Sequence, residues 1–230
     1  MFGLEELPKE IPVFPLAGVL LLPKGHLPLN IFEPRYLEMV RYAREGMGVI
    51  GMIQPLSVDQ DARRQPLPAD VRGAGVDNPP LYKVGCLGMI SDYEETRDGR
   101  ILIMLTGLSR YDIVEELPRR HMFREMRVDY RRFCHDCTAP YRSGDLDRKR
   151  LVENIEKYLS LRGICARWEN FERVGDEELI NALAMVCPFD APEKQALLEA
   201  PTLKDRLDLM IRLMEFNLNS TTGDGDPYLH

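Results

Sequence analysis

The stretch IPVFPLAGVLLLPKGHLPLNIFEPRYLEMVRY, residues 11–42, decides the fold, because it is the most apolar and most proline-marked part of the chain. Its first segment, residues 11–16, contains Pro12 and Pro15. Proline cannot donate a hydrogen bond to a β-ladder, so we predict an edge strand there. Two further apolar runs predict strands at residues 19–22 and 27–32.

A helix is predicted directly after the third apolar run. Pro34 suits the first turn of a helix, and the acidic Glu33 before it complements the helix dipole. Gly46 and Gly48 then predict where the helix ends. The apolar residues at helical spacing are Tyr36, Leu37, Val40, Ala43 and Met47.

The rest of the first half predicts more strands. Residues 49–53 indicate a buried strand, and Asp98-Gly99 between residues 81–94 and 100–115 is the strongest short signal for a hairpin. Residues 121–133 alternate apolar and charged side chains, which is typical of a half-exposed antiparallel strand. We therefore predict an α+β protein in which residues 1–133 form an antiparallel β pseudo-barrel with one helix.

The character of the chain changes in its second half. Residues 134–145 form a polar linker, and apolar residues recur after it with the helical period. We predict a helical bundle over residues 146–230. Two capping boxes mark helix starts, at residues 190–193 and 202–205.

Composition narrows the possible partners and compartment. The 230 residues carry a net charge of −7 with a pI near 5.3, which makes nucleic acid an unlikely main partner. No run of about eighteen apolar residues occurs, so we expect no membrane-spanning helix. The five cysteines are irregularly spaced and the N-terminus has no secretory pattern. We therefore expect a cytoplasmic protein with reduced thiols, and the sequence leaves its oligomeric state open.

Familiar catalytic motifs do not occur in the sequence. It has no G-x-x-x-x-G-K-[ST] phosphate loop, no G-x-S-x-G nucleophile elbow and no H-E-x-x-H zinc pair. Its four histidines offer little material for acid–base catalysis. We predict that the protein is not an enzyme, with no catalytic residue and no cofactor.

The segment Cys134-His135-Asp136-Cys137 allows two interpretations. A C-x-x-C pair serves as half of a zinc site or as a redox pair, and it also occurs by chance. A structural zinc site needs a second pair of ligands, and the sequence has none because the other cysteines are solitary. We favour a chance pairing and predict no metal site.

Three further features could bind a partner. The corner Glu33-Pro34-Arg35-Tyr36 is either a binding site or a brace between strand and helix, and we favour the brace. Residues 55–80 are long for a loop in a compact domain, and we favour a variable surface segment. A cluster of arginines could hold an anionic partner, although a solvated strand face explains it better: Arg119, Arg120, Arg124, Arg127, Arg131 and Arg132.

Several of these segments together resemble one family. The opening stretch, the run GRILIMLTGLSRY at residues 99–111, Pro188-Phe189 and residues 193–199 and 203–206 resemble the N-terminal domain of Lon-type ATP-dependent proteases. The resemblance covers residues 11 to about 218. It implies a PUA-like pseudo-barrel followed by a small helical bundle, which agrees with the elements predicted above.

The resemblance also implies a function. In Lon proteases this domain is the non-catalytic part, linked to substrate recognition and assembly, and the motifs of the ATPase and serine–lysine protease modules are absent here. We expect a stand-alone Lon N-terminal domain protein of the bacterial kind that binds polypeptides or unfolded clients, as an adaptor or client-binding protein. Two alternatives stay open: an RNA-binding PUA-like protein, and an enzyme with a cleft between barrel and bundle.

Overall fold

Six strands and five α-helices make up the part of the chain that the computed structural model describes, residues 3–56, 78–137, 146–160, 163–164 and 174–223. The strands are β1 (Glu10–Pro15), β2 (His26–Ile31), β3 (Val49–Ile53), β4 (Val84–Glu95), β5 (Ile101–Glu116) and β6 (Arg124–Asp129). The helices are α1 (Pro34–Glu45), α2 (Arg148–Ser160), α3 (Asp176–Val186), α4 (Ala191–Glu199) and α5 (Leu203–Gly223). Two 3₁₀ segments, Leu4–Glu6 and Arg131–Cys137, flank the strands. The predicted α+β class is confirmed.

The strands form a sheet in the order β2-β5-β4-β3-β1-β6, and β6 pairs again with β5. This second pairing closes five strands into a barrel and leaves β2 outside the ring, on the first half of β5. Neighbouring strands are antiparallel except β1 and β3, which run parallel with Val13 opposite Gly51. The barrel therefore contains one parallel pair of strands, whereas the sequence predicted an antiparallel barrel.

The position of the edge strand differs from the prediction. β1 lies between β3 and β6, so it is an inner strand, and β2 is the strand at the edge. The two prolines are tolerated because each lies just beyond the end of the pairing that its nitrogen faces. Pro12 precedes the first residue paired with β3, Val13, and Pro15 follows the last residue paired with β6, which is also Val13. A missing N–H donor at such positions removes little from the ladder.

The predicted strand at residues 19–22 is wrong, although the burial is right. Leu20, Leu21 and Leu22 are each 2% exposed or less, but they form no ladder. The segment lies directly on β5, since a Cβ built on Gly107 would be 2.0 Å from the Leu22 carbonyl oxygen. The Lys24 N–H donates to the Gly107 carbonyl at 2.8 Å and fixes this approach. Close backbone contact therefore buries the run without making it a strand.

Local signals place the other elements well. α1 begins at Pro34 and ends before Gly46, and Gly99 has a φ of +82° in the turn between β4 and β5. The Asp190 carboxylate accepts from the Glu193 N–H at 2.8 Å, while the Glu193 carboxylate accepts from the Asp190 N–H at 2.9 Å. These reciprocal bonds are the predicted capping box at the start of α4.

One hydrophobic core extends from the barrel into the helices. It includes Leu22 and Leu105 of the barrel side together with Ile155 of α2, Leu197 of α4 and Met210 of α5. The barrel and the helices therefore pack as neighbours with shared apolar contacts. The predicted linker at residues 134–145 stays a prediction: its first residues belong to the 3₁₀ segment Arg131–Cys137, and residues 138–145 lie outside the described part of the chain.

Candidate functional site

A buried ion pair joins the barrel to the helices. Arg110 of β5 is 5% exposed, and its Nη2 lies 2.8 Å from Oδ1 of Asp136. Both the Nε and the backbone N–H of Arg110 donate to Oδ2 of Asp136 at 2.9 Å. The remaining Nη1 donates to the carbonyls of Leu198 and Ala200 at the end of α4. The pair therefore holds the last turn of α4 against β5.

The ion pair gives the segment Cys134–Cys137 a structural role. Its structurally important residue is Asp136, while Cys134 is exposed and Cys137 is half-buried. Burial raises the pKa of the Cys137 thiol, which disfavours the thiolate that metal binding needs. Within the described part of the chain, no three His, Cys, Asp or Glu side chains are grouped so that they could hold a metal ion.

Side-chain amides continue the joint between barrel and helices. Gln54, just after β3, donates to the Ala191 carbonyl at 3.0 Å and to Oε1 of Gln195 at 3.3 Å. Gln195 in turn donates to the Val84 carbonyl at 3.1 Å. Asn181 of α3 donates to the Pro23 carbonyl at 3.0 Å. We call this set of buried polar contacts the junction; it comprises Gln54, Arg110, Asp136, Asn181, Gln195 and Arg206.

Arg206 of α5 is the second buried arginine of the junction. Its Nη1 donates to Oδ1 of Asn181 at 2.7 Å and its Nε to the Leu197 carbonyl at 2.9 Å. Its Nη2 has no hydrogen-bond partner among the described residues. Burial, with the nearby Arg110 charge, lowers the pKa of Arg206 to about 9. The side chains of the junction bond to one another and to backbone carbonyls of the two parts that they join, which is the arrangement of a structural joint and weighs against a catalytic cleft there.

A small pocket lies where the first helix meets the sheet, and we call it the corner pocket. Its volume is about 170 Å³. It brings together two features predicted from the sequence, the Glu33–Tyr36 corner and the first part of the arginine cluster. Pro55 and Pro79, within the segment 55–80 on either side of its undescribed part, also line it. Its lining also includes Pro15, Arg35, Tyr36, Arg119, Met122 and Arg124.

The arginines of the corner pocket differ in their partners. Arg35 donates to the Glu33 carboxylate at 2.8 Å, which is the predicted brace of the corner. Arg124 donates to both oxygens of Glu116 and to the Pro79 carbonyl. Arg119 donates only to the Met122 carbonyl, at 3.3 Å, and has no ion pair with a described residue. Among the described residues, the positive charge of Arg119 therefore has no carboxylate partner.

Packed aromatic side chains support one wall of the corner pocket. The Phe123 ring stacks on His121 with centroids 4.8 Å apart, and Tyr42 packs against Phe123 at 5.2 Å. The Tyr42 hydroxyl donates to the Glu125 carboxylate at 3.0 Å. That hydrogen bond, followed by burial, raises the pKa of Tyr42. Met122 beside this wall is 54% exposed.

The other members of the arginine cluster spread over the barrel. Arg127 pairs with Glu10 and Glu115, and Arg131 and Arg132 pair with Asp129 and Asp112 respectively. Because each of these three charges meets a carboxylate, they do not form one electropositive face with Arg119. The alternation of charges predicted a solvated strand face, and the ion pairs agree with it.

A second concave surface lies beside β2, and we call it the edge groove. Its volume is about 360 Å³. Two cross-strand rows form it on the outer face of the sheet. In one row Asn30 lies opposite Leu102 and Leu102 opposite Glu94, and two residues along each strand Pro28 lies opposite Met104 and Met104 opposite Asp92. Three of these six side chains are apolar, namely Pro28, Leu102 and Met104, while Asn30 carries an amide and the carboxylates of Asp92 and Glu94 lie at the β4 ends of the rows.

The edge groove also adjoins an unpaired strand edge. β2 pairs with β5 on one side and with no described strand on the other. Phe32, just after β2, is 64% exposed and Leu102 is 39% exposed. This surface was not predicted from the sequence. Its signal was the uninterrupted apolar run at residues 101–105, because a strand with one solvated face normally alternates apolar with polar residues.

Among the described residues, no helix combines the length and the apolar character that crossing a membrane requires.

A family profile and similar curated proteins point to the same family. The profile described as "ATP-dependent protease La (LON) substrate-binding domain" matches residues 10–215. The chain is 23% identical to the Lon protease of Bacillus thuringiensis, over 89% of this chain and 24% of that protein. It is 21% identical to the Lon protease of Azorhizobium caulinodans, over 90% of this chain and 23% of that protein. The chain thus spans about a quarter of the length of these relatives.

Solved structures show the same fold. A Lon N-terminal domain protein from Xanthomonas campestris superposes with a TM-score of 0.56 at 20% identity, covering 88% of this chain and 97% of that one. The N-terminal domain of a Mycobacterium avium complex Lon protease gives a TM-score of 0.57 at 16% identity, covering 90% and 98%. The match of the profile to most of the chain decides the family. This chain belongs to the LON substrate-binding domain family of ATP-dependent protease La.

Proposed function

We propose that this chain is a non-catalytic polypeptide-binding module and that the edge groove holds an extended segment of the client. The single observation that carries this proposal is the open edge of β2 beside an apolar surface. The family name supports it, since the profile that matches the chain is that of a substrate-binding domain. In this role the protein acts as an adaptor or client binder.

Strand addition explains how one site could accept many sequences. An unpaired strand edge offers main-chain donors and acceptors that pair with any extended chain, whatever its side chains. Pro28 lacks an N–H, so the edge is interrupted and a bound segment pairs over a short length. Short pairing gives weak, reversible binding, which suits a protein that must release its client.

Apolar side chains next to this edge supply the remaining attraction. Exposed Phe32 and Leu102 would be covered by the apolar side chains of an unfolded segment. Burying one such side chain fully contributes about 1.5–3 kcal/mol. Folded clients keep their apolar residues inside, so this surface favours unfolded ones.

The alternative function, binding RNA, has less support. The rows of the edge groove end in Asp92 and Glu94, whose negative charges oppose phosphate. Four of the six arginines of the predicted cluster are paired with carboxylates. Retention of single-stranded RNA at low salt, with affinity falling steeply as salt rises, would favour RNA over polypeptide.

A peptide titration tests the proposed function. The probe is a labelled extended peptide of alternating leucine and serine with an amidated C-terminus, and binding is followed by fluorescence anisotropy. The double variant Phe32→Ser/Leu102→Ser should weaken binding by about tenfold or more, because two apolar anchors are lost. A matched control is Val114→Ser, which removes an equally exposed apolar residue from the far end of β5.

A second probe separates strand addition from plain hydrophobic attachment. N-methylation of alternate peptide bonds removes the donors that pair with a strand edge while it leaves the side chains in place. The proposal predicts that the methylated peptide binds much more weakly than the parent. Equal binding of the two peptides, or equal binding by the wild type and the Phe32→Ser/Leu102→Ser variant, would contradict it.

A further inference from the structure

The corner pocket has the size of a single residue. Its volume of about 170 Å³ is well below the several hundred Å³ typical of pockets that enclose small-molecule ligands. Its walls are apolar and aromatic on the side of Tyr36, Met122 and Phe123. One large apolar side chain would fill such a pocket.

The rim of the pocket carries one available cation. Arg124 is fully engaged, because all three of its guanidinium nitrogens donate to Glu116 or to the Pro79 carbonyl. Arg119 uses only Nη2, on the Met122 carbonyl, so its Nε and Nη1 have no partner among the described residues. The bond to Met122 ties the guanidinium to the residue that forms the apolar wall. A guanidinium with free donors binds a carboxylate through paired hydrogen bonds.

One class of ligand presents both complementary features within one residue. The last residue of a polypeptide carries its side chain and its α-carboxylate on the same Cα atom. We propose that the corner pocket binds the C-terminal residue of a client, with an apolar side chain inside the pocket and the α-carboxylate on Arg119. This inference rests on the proposed binding of polypeptides but not on the edge groove, because the two surfaces share no lining residue.

The charge balance around the pocket favours this ligand. Arg35 and Arg124 are paired with Glu33 and Glu116. The Glu38 carboxylate accepts from the Met122 N–H and lies 3.3 Å from His121, so Arg119 is the lining guanidinium that has no ion pair with a described residue. Its donors match one terminal carboxylate. A polyanion such as RNA would need several phosphate contacts, and the neighbouring carboxylates would repel it.

The test uses short peptides with an N-terminal fluorescein and a Gly/Ser body. One peptide ends in leucine with a free carboxylate, the second ends in leucine amide, and the third carries an internal Leu-Asp pair with an amidated end. We expect the free acid to bind about tenfold or more tightly than the amide, since a hydrogen-bonded charge is lost in the amide. A fourth peptide ending in glycine with a free carboxylate should also bind more weakly, because it leaves the pocket empty.

Two neighbouring arginines give a matched pair of variants. Arg119→Met keeps the aliphatic stem and removes the charge, and it should abolish the preference for the free acid. Arg120→Met removes an equal charge from the next residue, which does not line the pocket, and should preserve that preference. Both side chains are exposed, so the fold should tolerate either substitution. Methyl NMR of Met122 provides a second readout, as only peptides seated in the pocket should shift its signal.

The outcomes distinguish this inference from the proposed function. Equal affinity for the acid and the amide, or for the internal Leu-Asp peptide and the free acid, would overturn the C-terminal assignment. If Arg119→Met and Arg120→Met lost the preference for the free acid equally, that preference would come from the general positive charge of this region and the assignment to Arg119 would be wrong. If the wild type binds the extended probe at the edge groove but none of the terminal peptides, the inference fails while the proposed function stands. If only the terminal peptides bind, the proposal that the edge groove holds an extended segment is wrong instead.

Discussion

The junction and the outer surfaces of the barrel differ in how their side chains are paired and buried. At the junction, buried polar groups such as Arg110 and Gln195 meet a partner from the other side of the interface. At the corner pocket, Arg119 bonds to the Met122 carbonyl and has no ion pair with a described residue, and beside the edge groove Phe32 and Leu102 are exposed. Internal satisfaction stabilises a fold, whereas exposed unpaired features are available to partners. Substitutions in the two regions should therefore separate stability from binding.

The largest loss of stability should follow from breaking the buried ion pair. Arg110→Met leaves the Asp136 carboxylate buried, at 8% side-chain exposure, without its cation. Breaking such a pair costs roughly 3–5 kcal/mol. Urea unfolding, followed by circular dichroism, should show the free energy of unfolding lowered by about this amount.

A double variant and a surface pair serve as controls for this prediction. Removing both charges with Arg110→Met/Asp136→Leu should recover part of the loss, because no charge stays buried alone. Arg132→Met breaks an ion pair whose side chains are 50% and 32% exposed, and it should cost no more than about 1 kcal/mol. If Arg110→Met were as mild as Arg132→Met, the junction would not be the stabilising region described above.

The next largest effect concerns the close approach of residues 19–22 to β5. A methyl group at Gly107 would meet the Leu22 carbonyl oxygen at 2.0 Å, so Gly107→Ala must push the backbone of that segment away. Overpacking of this kind typically costs about 1–3 kcal/mol. The thermal midpoint should fall accordingly in calorimetry.

Gly46→Ala is the matched control for that substitution. There an added methyl meets only the Ala43 carbonyl at 3.7 Å, an ordinary contact. The thermal midpoint should stay near that of the wild type. Equal tolerance of alanine at both positions would mean that the segment at residues 19–22 does not press on β5.

Local chemistry made much of the fold predictable. Pro34, Gly99 and the Asp190–Glu193 box each fix backbone geometry through their own atoms or those of residues three positions away, and all three behave as predicted. Two predictions were wrong, the strand at residues 19–22 and the edge position of β1, and both depend on contacts between distant segments. The run at residues 19–22 is equally apolar whether it forms a ladder or lies on one. Which strand becomes the edge depends on the closure of β5 on β6, and no local pattern records that pairing.

The candidate sites were predictable only in pieces. The sequence singled out the Glu33–Tyr36 corner and Arg119, but their meeting in one pocket depends on how α1 packs beside the start of β6. Asp136 was overlooked inside a cysteine motif because its partner, Arg110, lies 26 residues earlier. Ion pairs between distant residues leave no spacing signal, whereas cysteine pairs do.

The smallest effect should come from the cysteine segment itself, where the junction meets the surface. Cys134 is exposed, burial raises the pKa of Cys137, and burial raises that of Cys86 further. Since alkylation requires the thiolate and access to it, iodoacetamide should modify these thiols in that order in the native protein. Mass spectrometry of peptides after timed quenching would read the order.

Cys134→Ser should change the free energy of unfolding by less than about 0.5 kcal/mol, as is usual for an exposed position. Zinc should leave the unfolding midpoint of the wild type unchanged, because the described residues offer no third ligand beside the two cysteines. A midpoint that rises with zinc in the wild type but not in Cys134→Ser would make the segment a metal site. It would also move a functional group into the region that we treat as structural, since Asp136 lies between the two thiols and bonds to Arg110.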